Sequence, residues 1–323
     1  MPEMIKSIPF SEEGAESIPS IICLGNFDGV HLGHAALFRR GCEIKKTMSD
    51  LGQKVKLCAL CFDSLSSDHL SQAKVYHIMT LEKKLSTFRD MGIDCAYVCN
   101  FSLIKDFSPI EFIEHILVNK CSCIGVICGF NFRFGKKAAG DAQFLVDYFE
   151  KKADSHSTCC IVPPLTISGK IVSSSYIREL ISSGYIEKAN SMLGHPFSIS
   201  HTVVHGKHLG THLGFPTINH IPNDNELTPA FGIYATKAII DNEQFISVTN
   251  VGTRPTVSKS NIVTCETHII GIHGEKDLYG KNAEICFFSK IRNEKKFSSP
   301  TELTNAIAAD VENTKKYFDS IQM

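Results

Sequence analysis

Between residues 20 and 163 the sequence alternates short apolar runs with segments of helical periodicity. The apolar runs are SIICLG, KVKLCALCF, DCAYVC, CIGVICG and STCCIVP. Strands that alternate with helices pair in parallel, because each crossover helix returns the chain to the same end of the sheet. The pattern therefore predicts an α/β fold with a parallel, Rossmann-like sheet. The clearest helix is SPIEFIEHIL, where we expect Ser108 as N-cap, Pro109 as first helical residue and Glu111 in a capping box.

The pattern changes after Pro163. Two short helical stretches, SSYIRELISSG and YIEKANSMLG, precede a series of strands: SISHTVVHG, FGIYATKAII, QFISVTNVG, VTCETHIIGI and AEICFFSKI. Strands separated by Gly, Pro, Asn and Asp clusters predict a small β-barrel or sandwich. A terminal helix is predicted from apolar spacing at Leu303, Ile307, Val311, Thr314 and Phe318. We place the domain boundary near Pro196, with domains over 1–195 and 196–323.

Composition argues against several classes of function. The net charge of -1 gives no general basic surface, so we expect no nucleic-acid partner. No apolar run reaches about 18 residues and the N-terminus is unlike a signal peptide, so we expect a cytoplasmic protein without a membrane partner. The 13 cysteines lie mostly in apolar runs, which predicts reduced core thiols. Cys58 and Cys61 form a C-x-x-C within a predicted strand, without the context of a metal or redox site.

The first motif, LGNFDGVHLGH, lies between a buried strand and an amphipathic helix. Backbone amides of such a turn and the helix N-terminus face any anion bound at the carboxyl end of the strand. His31 and His34 flank Leu32-Gly33, so two imidazoles can converge on a phosphate. The alternative is a purely structural turn, with one histidine capping the helix and the other on the surface.

GNFDGVHLGH resembles the signature of the adenylyltransferase module in bifunctional riboflavin kinase/FAD synthetases. GFNFRFGKKAAGD, at 129–141, resembles the second motif of that module, and SSSYIREL, at 173–180, resembles the third, with Ser175 where Thr is usual. The resemblance implies a nucleotidyltransferase fold and catalytic roles for His31 and His34. It also implies ATP contacts from Gly25, Asn26, Phe27, Asp28 and Asn131, and phosphate contacts from Ser174, Ser175 and Arg178.

Two points qualify the first module. Many relatives carry T-F-x-P-H-P where this chain has CFDSLSSDH, at 61–69, a segment that we expect to line or shape a flavin or nucleotide contact. Ser174 or Ser175 could equally cap a helix, with Arg178 on its surface. No paired carboxylates accompany the histidines, and none is needed, because the FMN phosphate is already an ionised nucleophile.

The second motif, HGKHLGTHLGFPTINH, contains Thr217 and Asn219, which point to the same side of an extended chain. Hydroxyl and amide oxygens suit Mg²⁺ carried in by nucleotide phosphates. Further along, Glu266 and His268 share one face of a predicted strand, and a carboxylate there could accept a proton from a hydroxyl group. The alternative is a strand carboxylate turned to solvent.

These residues resemble the riboflavin kinase module, together with NVGTRPT at 250–256 and DLYGK at 277–281. The resemblance implies a six-stranded antiparallel β-barrel with a terminal helix, Mg²⁺ at Thr217 and Asn219, and Glu266 as the base that activates the ribityl 5′-hydroxyl. It further implies substrate or ATP contacts from Gly206, Gly210, Gly214, Pro216, Asn250 and Arg254.

The second module also departs from its relatives. Thr211-His212 replaces a common Arg, and the stretch before DLYGK is about two residues longer, which we expect to change affinity rather than abolish the reaction. The cluster of His205, His208 and His212 is interrupted by glycines. We interpret it as a phosphate-facing loop rather than a transition-metal site.

The sequence thus predicts an enzyme that makes FMN and then FAD, with riboflavin, FMN and ATP as small-molecule partners and Mg²⁺ as cofactor. We expect a monomer or weak homo-oligomer. One alternative keeps the fold but adenylylates or cytidylylates another phosphorylated compound. Another is a flavin-binding storage or regulatory protein without turnover.

Overall fold

The parallel sheet predicted for the N-terminal part is present. A computed structural model describes residues 5–7, 18–62, 75–151, 158–204, 213–255, 261–271 and 278–321, and its contacts divide the chain into two compact units, Met1–Ser173 and Ser174–Met323. Six parallel strands of the first unit are arranged in the order β1-β4-β3-β2-β5-β8. They are β1 (Ile5–Ser7), β2 (Ser20–Leu24), β3 (Lys56–Phe62), β4 (Cys95–Cys99), β5 (Cys123–Gly129) and β8 (Thr158–Val162).

Both faces of this sheet are covered, which explains its nearly continuous apolar strands. In β2, Ile22 and Leu24 belong to one hydrophobic core, whereas Ile21 and Cys23 belong to the core on the other face. Most of the 13 cysteines are buried, and none is paired in a disulfide. Cys58 and Cys61 are both fully buried within β3, as expected for cysteines used as small apolar side chains.

Helices and short hairpins connect the strands of the first unit. The capping box of SPIEFIEHIL is present, because Ser108 and Glu111 exchange hydrogen bonds of 3.2 and 2.7 Å. After one turn this helix continues as a π-helix, Phe112–Lys120, which ends with a bond from the Cys121 N–H to the Ile116 carbonyl. The helices are α1 (Leu32–Asp50), α2 (Leu81–Asp90), α3 (Phe101–Ile104), α4 (Pro109–Glu111) and α5 (Ala142–Lys151). The hairpin strands are β6 (Arg133–Phe134), β7 (Gly140–Asp141), β9 (Thr166–Ile167) and β10 (Lys170–Ile171).

The second unit contains the six-stranded antiparallel barrel, in the order β11-β16-β13-β14-β15-β12. The two edges of this sheet meet where the Val204 N–H donates to the Asn219 carbonyl at 3.0 Å, in an antiparallel bridge just beyond β11. The strands are β11 (Phe197–Thr202), β12 (Thr217–His220), β13 (Gly232–Ile240), β14 (Glu243–Pro255), β15 (Asn261–Ile269) and β16 (Asn282–Arg292). The predicted fold class is therefore confirmed for both parts of the chain.

Two helices that the sequence assigned to the first domain pack with the barrel. They are α6 (Ser174–Ser182) and α7 (Ile186–Leu193). The Asn190 side chain of α7 donates to the Phe287 carbonyl and accepts from the Phe197 N–H, each at 2.8 Å. The structural division thus falls at 173/174, and a functional boundary near Pro196 stays a prediction.

The terminal helix α8 (Pro300–Ile321) extends beyond the predicted apolar positions at both ends. As expected, those positions lie on one side of the helix. Val311, Thr314 and Phe318 are buried, and the rings of Phe318 and Phe288 meet edge to face at 5.1 Å. Asp310 is buried on the same side of the helix, at 3% exposure, which the apolar pattern did not anticipate. No helix in the described part of the chain is long and apolar enough to cross a membrane.

Candidate active sites

The first motif follows β2, the strand at which the order of strand addition in the parallel sheet reverses. The chain adds β3 and β4 on one side of β2 and then β5 and β8 on the other, so the switch lies between β2 and β5. Ligands of open α/β sheets bind at the carboxyl ends of the strands at such a switch. The turn 25–30 leaves β2 there, and Asn131 lies in the exposed turn after β5. The structure therefore brings the first and second motifs to the same edge of the sheet.

The turn between β2 and α1 is strained. Phe27 and Val30 have φ angles of 52° and 36°, in the left-handed region that a β-branched residue such as Val rarely adopts. Such a conformation persists only where surrounding contacts impose it, and it is concentrated at functional sites. Phe27 is fully buried and contacts the rings of Phe38 and Phe88 at 4.9 and 5.4 Å.

His31 and His34 form one stacked pair at the start of α1. Their ring centroids lie 3.6 Å apart with an interplanar angle of 13°. His31 is the N-cap of α1, since its Nδ1 accepts a hydrogen bond from the His34 N–H at 3.3 Å. One part of the purely structural alternative is confirmed, because His31 caps the helix. The other part is wrong, because the His34 ring stacks on the His31 ring instead of lying on the surface.

Burial lowers the pKa of His34 well below its ordinary value, and the nearby His31 and Lys84 charges lower it further. The side chain keeps some exposed surface, but its Nδ1 atom is enclosed and has no hydrogen-bond partner among the described residues. His34 is therefore uncharged at neutral pH.

Two contacts from the segment before and within α2 support this turn. The Lys84 ammonium donates to the Asn26 carbonyl at 3.0 Å, and the Ile78 N–H donates to both Asp28 carboxylate oxygens at 3.1 and 3.2 Å. Sequence reasoning missed Lys84. The available signal was its position on the apolar face of α2, at helical spacing with Leu81, Leu85 and Phe88.

All of the third motif except its first residue, Ser173, lies in the second compact unit. Ser174 and Ser175 are the first two residues of α6, and Arg178 is half-buried one turn later. Ile177, Leu180 and Ile181 form the buried side of this helix. Contact of the two serines and the arginine with ATP stays a prediction.

In the barrel, three predicted residues form one row across neighbouring strands. Glu266 on β15 pairs with Asn219 on β12 and with Asn250 on β14. Residues directly opposite each other in an antiparallel sheet project to the same face, so the carboxylate lies between two amides. Thr217 and His268 pair one step further along the same face. The two predicted pairs, Thr217 with Asn219 and Glu266 with His268, therefore lie on one shared face of the sheet.

This face forms one wall of a cavity of about 200 Å³, and α8 contributes another wall. Glu266 faces this cavity and is half-buried, so it is not a solvent-facing strand carboxylate. The Asn250 Oδ1 is enclosed and has no hydrogen-bond partner among the described residues. The lining residues are Leu213, Phe215, Thr217, Ile233, Val248, Asn250, Glu266, His268, Arg292, Glu294, Lys295, Phe297, Leu303, Ile307 and Asp310.

His268 orders the start of β12. Its Nδ1 lies 2.9 Å from the Pro216 carbonyl, and its ring meets Phe215 edge to face at 5.3 Å. Burial lowers the pKa of His268, partly offset by the bond to Pro216. The imidazole is therefore neutral and donates from Nδ1, which fixes the strand that carries Thr217 and Asn219.

An ion pair that the sequence did not predict lines the cavity. Arg292 on β16 donates to both carboxylate oxygens of Asp310 on α8, from Nε at 2.8 Å and from Nη2 at 2.7 Å. Its guanidinium also lies 5.6 Å from the Phe297 ring centroid. An aspartate inside an apolar helical stripe was the signal that could have suggested a buried partner.

On the opposite face of the same strands, buried hydroxyl groups form a chain. Thr236 bonds to Ser247 and to Thr249 at 2.8 Å each, and Thr249 bonds to Thr267 at 2.9 Å. These hydroxyl groups join β13, β14 and β15, which carry Ile233, Asn250 and Glu266 on the face that lines the cavity. Satisfied polar networks of this kind fix strand positions.

Several predicted residues lie outside the described part of the chain. Gly206, Gly210 and the cluster of His205, His208 and His212 fall in 205–212, most of CFDSLSSDH falls in 63–74, and Asp277 falls in 272–277. The side chain of Arg254 is likewise not described. Gly214 is described, with a φ of 84° that only glycine adopts readily, and Pro216 is exposed just before β12.

Together these features are those of a two-site transferase, with an α/β unit that carries a stacked histidine pair at the sheet switch and a barrel that presents a carboxylate in a cavity. Comparison with known families agrees: residues 14–176 match FAD synthetase and residues 193–318 match riboflavin kinase. The bifunctional riboflavin kinase/FMN adenylyltransferase of Listeria monocytogenes is 31% identical over 97% of both chains. The Bacillus subtilis protein of that name is 31% identical over 95% of both chains. The chain belongs to the bifunctional riboflavin kinase/FMN adenylyltransferase family, and its two activities are those of that family.

A solved structure from Streptococcus pneumoniae shares the whole fold. It is titled a macrolide-efflux protein, and it matches with a TM-score of 0.86 and 25% identity over 97% of this chain and 99% of that one. Both units of the present chain therefore have counterparts in one experimentally determined structure.

Proposed function

We propose that the two reactions of this family use the two sites described above, with ATP as donor in both. At the first site, a phosphate oxygen of FMN attacks the α-phosphorus of ATP, and pyrophosphate leaves. No general base is required, because the attacking oxygen is already ionised. Catalysis then rests on orientation and on neutralising the charge that develops on the phosphates.

In this proposal His31, His34 and the N-terminus of α1 receive the triphosphate. The turn amides of Gly25, Asn26 and Phe27 approach the same anion, and Asn131 contacts the nucleotide from the neighbouring strand. A neutral His34 serves as a hydrogen-bond partner for phosphate rather than as a permanent cation. Ser174, Ser175 and Arg178 would add phosphate donors at this site.

At the second site, Glu266 accepts the proton of the ribityl 5′-hydroxyl as the oxygen attacks the γ-phosphorus of ATP, the bond to the β-phosphate oxygen breaks and ADP leaves. The supporting geometry is the cavity, which combines this carboxylate with an apolar wall that includes Phe215, Leu303 and Ile307. A flat apolar ring fits such a wall, and Asn250 offers its enclosed amide oxygen to a donor group on the substrate. The carboxylate needs only to reach the hydroxyl within hydrogen-bond distance.

Mg²⁺ fits the donor set at the start of β12. The Thr217 hydroxyl and the Asn219 amide are neutral hard oxygen donors, and Asn219 is only 6% exposed beside Glu266. Bound there with the ATP phosphates, Mg²⁺ would offset negative charge on the transferred phosphoryl group. The chain's own contribution is to hold the two oxygen donors on one face of β12.

The observation that carries the proposal is the row Asn219, Glu266 and Asn250, of which Glu266 and Asn250 line the cavity, together with the stacked histidines at the start of α1. The test is incubation of the purified protein with riboflavin, ATP and Mg²⁺, followed by chromatographic separation of the flavins over time. We expect FMN first and FAD later. FMN alone would contradict the assignment of the first site, and no product would favour a flavin-binding protein without turnover.

We further propose that the enzyme works in the cytoplasm as a monomer or weak homo-oligomer, without nucleic-acid or membrane partners. The near-zero net charge and the absence of a spanning helix in the described residues support this proposal. Light scattering across a concentration series, with and without ATP, measures the oligomeric state directly. A stable higher oligomer at all concentrations would contradict it.

A further inference from the structure

Lys84 has an unusual environment for a lysine. It is 4% exposed, and it is the one buried lysine or arginine among the described residues. Its ammonium donates to the Asn26 carbonyl at 3.0 Å, and no ion pair with a carboxylate accompanies it in the described part of the chain. A buried cation that lacks a carboxylate partner is unfavourable for folding, so its position beside the first site suggests a role there.

The group that Lys84 holds belongs to the strained turn of the first site. Asn26 directly precedes Phe27, and Val30 directly precedes His31; both Phe27 and Val30 have positive φ angles. The turn begins at Gly25, whose N–H bonds to the Leu60 carbonyl of β3 at 3.3 Å. Lys84 therefore anchors the turn from α2, between that attachment and the helix cap.

Two neighbouring contacts act in the same direction. The Phe88 ring packs edge to face on Phe27, and the Ile78 N–H holds the Asp28 carboxylate. Three successive residues of the turn, Asn26, Phe27 and Asp28, are thus each held by the segment 78–88. Among the groups that segment 78–88 contributes to these three contacts, only the Lys84 ammonium is charged.

We propose that Lys84 is a positioning residue of the adenylylation site, whose buried ammonium holds the Asn26 carbonyl and thereby fixes the turn that presents His31 and His34. Its charge has a second effect, because it disfavours a proton on His34. The inference rests on the proposed function of the first site. It concerns a residue that lies outside all three motifs of that site.

The test uses two substitutions of Lys84 in the full-length protein. Lys84→Met removes both the donor and the charge, whereas Lys84→Gln keeps an N–H donor without the charge. Lys46→Met, at an exposed position of α1, is the matched control. FAD formation from FMN and FMN formation from riboflavin are measured on the same samples, and the His34 pKa is measured by NMR titration without substrate.

We expect Lys84→Met to lower kcat/KM for FAD formation about 100-fold, because a small displacement of the turn misaligns the reacting groups. Riboflavin phosphorylation should be unchanged. Lys84→Gln should lose less activity than Lys84→Met, and both should raise the pKa of His34. Lys46→Met should match the parent protein in all three measurements.

Amide-spectrum dispersion reports whether the N-terminal unit is folded, and Lys84→Gln carries the test if Lys84→Met unfolds this unit. Parent-like FAD formation by either folded neutral variant would overturn the proposal. So would an unchanged His34 pKa in both. A parent protein that makes no FAD would instead refute the proposed function of the site, whereas the His34 titration would still test the role of Lys84.

Discussion

The two sites of this protein are built in opposite ways. In the barrel, the row Asn219, Glu266 and Asn250 is set by the register of regular strands, and a hydroxyl chain fixes those strands from the other face. At the edge of the parallel sheet, the histidines follow a strained turn that depends on side chains from α2. Catalytic geometry can thus come from repetitive backbone structure or from a few distant contacts that impose an unfavourable conformation.

The largest expected effect is the loss of one activity without the other when a residue of one site is substituted. Glu266→Gln keeps the shape of the side chain but removes the base, so riboflavin phosphorylation should fall about 100- to 10,000-fold. FAD formation from supplied FMN should be unchanged. His31→Ala should do the reverse, because it removes both the N-cap and one member of the stacked pair.

Both activities are followed by flavin chromatography, with thermal unfolding as the control for folding. If either substitution abolished both reactions in a folded protein, the assignment of one reaction to each site would be wrong.

The barrel site should also respond to the contact between α8 and β16. Asp310→Asn removes the charge that orients Arg292, and we expect about a 10-fold rise in KM for riboflavin with a smaller change in kcat. Stability should fall by about 1–3 kcal/mol, below the full cost of breaking a buried pair, because the Arg292 side chain is 28% exposed.

Steady-state kinetics and urea unfolding measure these effects, and Asp319→Asn on the exposed side of α8 is the control. An unchanged KM would show that the ion pair only attaches the helix.

Acid should weaken the barrel through His220, which is fully buried beside the His201–Glu226 pair. Burial and the His201 charge lower the pKa of His220 to about 4. The unfolded chain therefore binds a proton more readily than the folded one, and stability falls as pH drops from about 6.5 towards about 4. This linkage predicts a loss of about 2 kcal/mol between pH 7.5 and pH 5.

His220→Phe should remove that part of the pH dependence, whereas His115→Phe at an exposed site should retain it. Urea unfolding at the two pH values, followed through riboflavin phosphorylation, measures the difference. Equal pH dependence in His220→Phe and the parent protein would contradict the assignment.

The smallest effect on riboflavin phosphorylation is expected at the hydroxyl chain on the opposite face of the strands that carry Asn250 and Glu266. Thr249→Val replaces a hydroxyl that bonds to two neighbours with a methyl group of similar size, at an expected cost of about 1–3 kcal/mol. Because the strands remain paired, riboflavin phosphorylation at low temperature should change little, and the melting temperature of the barrel should drop. A large loss of activity without a loss of stability would mean that strand register alone does not set the site.

Sequence patterns predicted the barrel site better than its supports. The period of two in a strand is enough to place Thr217 with Asn219 and Glu266 with His268, and the structure agrees. Lys84 and Asp310 were missed, since their partners are distant in sequence: Lys84 lies 58 residues from Asn26, and Asp310 lies 18 from Arg292. Local periodicity predicts the face of the element on which a side chain lies, but not the residues distant in sequence that it contacts.

The same limit explains the predicted domain boundary. Turn and composition signals near Pro196 mark a real change from helices to strands, but α7 packs on β11 and β16. Hydrogen bonds such as Asn190 with Phe287 assign it to the barrel unit, and no local pattern announces them.

The position of α6 and α7 limits how this protein can be divided. A cut at 195/196 would strip these helices from the barrel and expose Leu180, Ile181 and Ala189 to water. A cut at 173/174 would keep the barrel intact but would remove Ser174, Ser175 and Arg178 from the half that is proposed to need them. The proposed site residues therefore predict that point substitutions separate the two activities, whereas a cut at either place impairs one of them.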